Sequence, residues 1–132
     1  MLAVSFEPAE DGTDWAIVRT DEDPAGVVPL TISCGFTVKT GEPVAYLGYP
    51  SPLEQFYSEG IIASQGDMRI DFPPLPITSL HGGPGASGSA IISLVTGEII
   101  GVLSIGVVNT RGNLLGVGIT MLSGSVCDTD DG

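Results

Sequence analysis

With 132 residues, 42% of them hydrophobic, the chain is long enough for one cored domain and too short for several. Its 16 acids against four bases give a formal charge of −12, which repels phosphate backbones and argues against nucleic acid as a partner. No apolar run approaches the ~18 residues of a membrane-spanning helix, so no membrane partner is expected. Residues 1–5 carry no basic n-region, and no signal peptide is expected there.

Glycine, at 19 residues, and proline, at 10, punctuate the chain with turns. Short strands are expected between them. Residues 2–6 alternate and break at Glu7-Pro8. After the Asp11-Gly12-Thr13 turn, residues 15–18 read as a short buried strand. Glu7, Glu10, Asp11, Asp14, Asp21, Glu22 and Asp23 crowd this amino-terminal segment and read as a solvated surface. Residues 24–29, with Pro24, Gly26 and Pro29, read as a linker.

Further strands are expected at 30–33, 36–39 and 43–47, the last stopped by Gly48-Tyr49-Pro50-Ser51-Pro52. Residues 56–64 and 68–72 suggest a hairpin around Gln65-Gly66-Asp67. Pro73-Pro74-Leu75-Pro76 cannot lie in a central strand, because proline donates no ladder hydrogen bond. Residues 78–88 read as a long loop. Strands follow at 90–94, 98–107 and 114–121, with turns at Thr96-Gly97 and 109–113. Residues 122–127 suit one short helical turn, and 128–132 form an acidic tail. Strands at this spacing argue an all-β barrel or sandwich.

Two cysteines, Cys34 and Cys127, make no disulfide framework. They can pair, but spacing does not say so, and separate thiols are the default expectation. No Cys/His cluster has zinc spacing, and no EF-hand or phosphate loop appears, so neither metal nor cofactor is expected.

Chemistry concentrates in Gly82-Gly83-Pro84-Gly85-Ala86-Ser87-Gly88-Ser89-Ala90. A serine between glycines at the mouth of a buried strand exposes a hydroxyl beside free backbone N–H groups, which can hold an oxyanion. The only histidine, His81, lies upstream of Ser87 in the same loop, and nothing marks it as the base that a serine nucleophile needs.

Residues 84–90 closely resemble the Gly-x-Ser-Gly signature of trypsin-like serine proteases, and of the HtrA-like bacterial branch in particular. Residues 97–106 resemble the family's hairpin ending in Ser-x-Gly, here Ser104-Ile105-Gly106. Gly116-Val117-Gly118-Ile119-Thr120 resembles the last strand of its pocket. Upstream, Thr13-Asp14-Trp15-Ala16-Ile17-Val18 is similar to the motif that carries the triad aspartate. Residues 41–50 and 58–64 are similar to consecutive HtrA-like segments. The segments run in family order over nearly the whole chain.

The resemblance implies a six-stranded antiparallel barrel of the trypsin-like second-domain type over 30–127. Residues 1–23 would be a remnant hairpin of the first barrel. It implies serine endopeptidase chemistry on a polypeptide substrate. Ser87 would be the nucleophile, Gly85 and Ser87 would supply the oxyanion N–H groups, and Asp14 would orient a histidine. His81, Ser104, Ile105, Gly106 and Gly116 would line the substrate pocket, where His81 could favour acidic or amide side chains or simply face water. Ser89 reads as a packing residue.

The family histidine precedes the aspartate, and no histidine precedes Asp14 here. The first barrel could belong to an upstream segment, come from another chain, or be lost. The isolated chain is therefore expected to be inactive as a peptidase. The alternative is a non-catalytic module that binds an extended peptide by strand addition at residues 104–106. A structural shell or tail protein of a virus is a further rival with no feature beyond the acidic surface.

Overall fold

The computed structural model describes residues 3–8, 14–23, 25–33, 39–66, 75–108, 110–122 and Cys127. Among them run β1 (Ala3–Pro8), β2 (Ala16–Thr20), β3 (Pro43–Gly48), β4 (Phe56–Ser64), β5 (Ile77–Thr78), β6 (Ala90–Ser93), β7 (Ile99–Val108) and β8 (Leu114–Met121). β1 and β2 form a two-stranded antiparallel sheet. The other six strands close a barrel in the order β3-β4-β5-β8-β7-β6, every named pair antiparallel. The all-β fold and the six-stranded barrel expected from the sequence are what the chain adopts.

Closure follows from the side-chain pattern. Val44 and Tyr46 of β3, Ile62 of β4, Ile91 of β6, Ile100 and Leu103 of β7, and Val117 and Ile119 of β8 point inward and form one buried cluster. Each fully buried aliphatic side chain contributes about 1.5–3 kcal/mol. Pairing β3 with β6 closes the sheet where an open one would end in two unpaired edge strands. Gly101 lets β7 approach β8: an added Cβ would lie 2.5 Å from the Thr120 carbonyl oxygen.

Several strand limits differ from expectation. β1 continues through Glu7 to Pro8, because a proline at the strand end gives up only one ladder bond. Residues 30–33 form no full strand. Ile32 makes a single parallel bridge to Ile99, with Ile99 N–H donating to Thr31 O (2.9 Å) and Ser33 N–H to Ile99 O (2.8 Å). The β8 register against β7 begins only at Gly101, so the start of β7 has room for that bridge. The loop expected at 78–88 begins one residue later, because Thr78 belongs to β5, a strand too short to show periodicity.

Lys39 lies in no strand; residues 36–38 and the expected strand at 68–72 lie outside the described residues, and so does the acidic tail. Cys127 is helical and disulfide-bonded, which corrects the expectation of separate thiols. Distance along the chain does not measure distance in a closed barrel. The other cysteine, Cys34, lies outside the described residues.

Candidate active site

The serine loop is built on backbone. Gly85 and Gly88 have φ of +96° and +86°, values that favour glycine. Between them Ala86 is fully buried in the barrel core, and this leaves Ser87 exposed at the loop tip. Two bonds fasten the loop to β7: Gly88 N–H to Leu103 O (2.8 Å) and Leu103 N–H to Ser89 O (2.9 Å). Ala86 N–H closes the turn onto Gly83 O at 3.0 Å. Among the described residues, neither the Gly85 N–H nor the Ser87 N–H donates a hydrogen bond.

β7 carries the next part. Its register against β8 slips between Leu103↔Ile119 and Ile105↔Gly118, which leaves Ser104 as a bulge. A bulge re-aims its side chain, and bulges recur beside functional sites. The Ser104 hydroxyl donates to Oδ2 of Asp14 at 2.6 Å. The Ser104 carbonyl accepts from the Ser87 hydroxyl at 3.4 Å, longer than an ordinary O–H···O bond, so the hydroxyl is only loosely held. Asp14 itself is exposed and stands just before β2, next to the buried Trp15. Thus Asp14, Ser104 and Ser87, three residues from distant parts of the chain, meet in one place.

Beyond Leu103, whose N–H and C=O are bound by the serine loop, the backbone of β7 is paired only with β8 among the described residues. Its other edge is open alongside Ile105, which is 51% exposed. Gly106 is exposed, and an added Cβ there would meet only Leu114 Cδ1, at 3.5 Å. Gly116 differs. It stands opposite Val107, and an added Cβ would lie 2.1 Å from the Thr78 carbonyl oxygen, so this glycine permits the approach of β5 to β8.

His81 is exposed, and its backbone is held on both sides. Its N–H donates to Ser58 Oγ at 3.1 Å, and its carbonyl accepts from the Tyr46 hydroxyl. Burial raises the Tyr46 phenol above its ordinary pKa of 10.0. No hydrogen bond among the described residues joins His81 to Ser87 or Asp14. Sequence reading missed the part of the Tyr46 and Ser58 hydroxyls in fixing this loop, and no local signal could have revealed pairs so far apart in the chain.

The family model of the trypsin-like peptidase domain matches residues 3–102. The chain belongs to that family. It is 30% identical over 105 residues to a protein of Halomonas elongata named probable periplasmic serine endoprotease DegP-like, a match that covers 78% of this chain and 22% of that protein. Among solved structures, the HtrA-type protease AlgW with decapeptide superposes with a TM-score of 0.60 at 21% identity, over 80% of this chain and 32% of that one. The serine endoprotease from Yersinia pestis gives a TM-score of 0.59 at 23% identity, over 80% and 35%. The proteins it is similar to thus include DegP-like and HtrA-type proteases, and the chain spans only about a fifth of the curated relative it matches.

Proposed function

We propose that this chain is the serine-bearing part of a trypsin-like serine endopeptidase that acts on extended polypeptide. The observation that carries the reading is Ser104, which joins the aspartate and the serine of the motifs through its hydroxyl and its carbonyl. An imidazole between Asp14 and Ser87 would donate its Nδ1–H to the carboxylate and take the Ser87 proton at Nε2. Ser87 Oγ then attacks the substrate carbonyl carbon, and the oxyanion forms opposite the Gly85 and Ser87 N–H groups. The same imidazole returns the proton to the leaving amine.

His81 is not that imidazole. Its backbone is fastened to β3 and β4 by Tyr46 and Ser58, on the loop that leads into the serine turn. The histidine comes from polypeptide outside this sequence, and the 132 residues alone hydrolyse peptides negligibly, since a serine hydroxyl is a weak nucleophile without a base. In subtilisin, loss of the histidine alone costs about 10⁶ in turnover.

The test is labelling by a fluorophosphonate, with the chain alone and with the chain joined to a first barrel carrying the family histidine, each beside Ser87→Ala. Labelling that needs the added barrel and Ser87 supports the reading. Strong Ser87-dependent labelling of the isolated chain would show that a base had been overlooked. No labelling in either form would favour the second reading, a peptide-binding module without catalysis. That reading is supported by the open β7 edge beside Ile105, on which a peptide can add as a strand.

A further inference from the structure

The serine loop contains two peptide units whose orientation is set from behind. Peptide groups are planar and trans, so the C=O of one residue and the N–H of the next point in opposite directions. Whatever holds the carbonyl therefore aims the amide. The Pro84 carbonyl is held by the Ser51 N–H at 2.6 Å, and the N–H on the far side of that peptide unit is the Gly85 N–H. The Ala86 carbonyl is held twice by Ser89, through its N–H at 3.1 Å and its hydroxyl at 2.6 Å, and the opposed amide is that of Ser87. The Gly85 and Ser87 N–H groups, neither of which donates a hydrogen bond among the described residues, thus each lie opposite a held carbonyl.

The clamps have solid backing. Leu53 N–H donates to Pro50 O at 2.8 Å and closes the turn that presents Ser51. An added Cβ on Gly85 would lie 2.9 Å from the Tyr49 carbonyl oxygen, so loop and turn pack backbone against backbone. The Ser89 hydroxyl sits over Gly48 at the end of β3, where an added Cβ would lie 2.5 Å from Ser89 Oγ. One clamp therefore comes from the turn after β3, and the other, made within the serine loop, packs against the end of that strand.

We infer that the Ser51 amide and the Ser89 hydroxyl are positioning groups for the oxyanion site, each fixing one of its two donors. Ser89 is more than a packing residue. The inference rests on the reading of Gly85 and Ser87 as oxyanion donors.

The experiment follows individual amides by NMR in the isotopically labelled 132-residue chain. The probe is acetyl-trialanine, whose terminal carboxylate presents an anionic oxygen; the same peptide as its uncharged amide is the control. In the wild-type chain the carboxylate should shift the Gly85 and Ser87 amide resonances saturably, and the amide control should not. Ser89→Ala should at least halve the Ser87 response and leave that of Gly85. Ser51→Pro, which removes the donor N–H, should do the reverse. This crossed pattern is one that a general loosening of the fold would not produce. If neither wild-type amide responds, the oxyanion reading fails and takes the inference with it. If both respond but each variant weakens them equally, or not at all, the oxyanion reading stands and the positioning inference alone is overturned. Should Ser51→Pro not fold, Ser89→Ala decides by itself.

Discussion

The Ser104 hydroxyl donates a 2.6 Å hydrogen bond to Oδ2 of Asp14, 90 positions away in the chain. That contact ties the segment before β2 to the barrel at the bulge where β7 passes the serine loop. It also saturates one side of a carboxylate that would have to face an imidazole.

Ser104→Ala removes this donor and leaves the backbone carbonyl that faces Ser87. In the chain joined to a histidine-bearing first barrel, the rate of fluorophosphonate labelling should fall about tenfold, the size expected for losing a hydrogen bond to a charged group at a partly hydrated site. The melting transition should stay within about 0.5 kcal/mol of wild type, because the pair is exposed. Unchanged labelling would mean that Asp14 is placed without Ser104.

Two glycines of the expected pocket should respond in opposite ways. Gly106→Val projects into open groove, with only Leu114 Cδ1 near its Cβ. Stability should change by about 0.5 kcal/mol or less, while affinity for an extended peptide, read by fluorescence anisotropy, should fall more than about tenfold. Gly116→Ala drives a methyl against the Thr78 carbonyl. It should cost about 3 kcal/mol in urea denaturation through overpacking between β5 and β8. A destabilised Gly106→Val that still binds peptide would remove Gly106 from the groove.

The contrast between these glycines shows where sequence reading ended. Apolar runs bounded by turn residues were enough for β3, β6, β7 and β8, whose limits fall within a residue of those expected, and residues such as Val44, Ile91 and Ile119 in those runs supply the core. Gly106 and Gly116 look alike in sequence, and only the approach of β5 separates the open one from the crowded one. The serine loop was legible because its glycines are local requirements. Contacts such as Ser104 with Asp14, Ser51 with Pro84, or Tyr46 with His81 pair residues that no local pattern connects.

Alkaline pH should loosen the barrel through Tyr46. Its phenol is fully buried, donates to the His81 carbonyl, and is held above its ordinary pKa of 10.0 by burial. A group with a raised folded pKa contributes stability that is complete below the unfolded value and lost as pH rises through the folded one. Stability should therefore hold steady to about pH 9 and decline above about pH 10. Tyr46→Phe should cost about 1 kcal/mol at neutral pH and flatten that decline. Tyr57, raised chiefly by its hydrogen bond with Glu59, lies on the surface, so Tyr57→Phe should leave the decline in place. Urea denaturation at several pH values distinguishes the two.

If the only group the site lacks is an imidazole, a free one should substitute for it. The Asp14 carboxylate is exposed, and among the described residues the Ser87 hydroxyl is held only by the long contact to the Ser104 carbonyl. Free imidazole can accept the Ser87 proton while donating to Asp14, although it pays the entropy that a tethered side chain does not. Labelling of the isolated chain by a fluorophosphonate should rise saturably with imidazole concentration and remain far below the rate of the joined form. Ser87→Ala should abolish it. Asp14→Asn should remove the saturable part, since an uncharged amide cannot stabilise the imidazolium that forms. N-methylimidazole, which lacks the second N–H, should rescue poorly. A response that is linear in imidazole and indifferent to Asp14→Asn would be ordinary buffer catalysis, and it would remove Asp14 from the proposed triad.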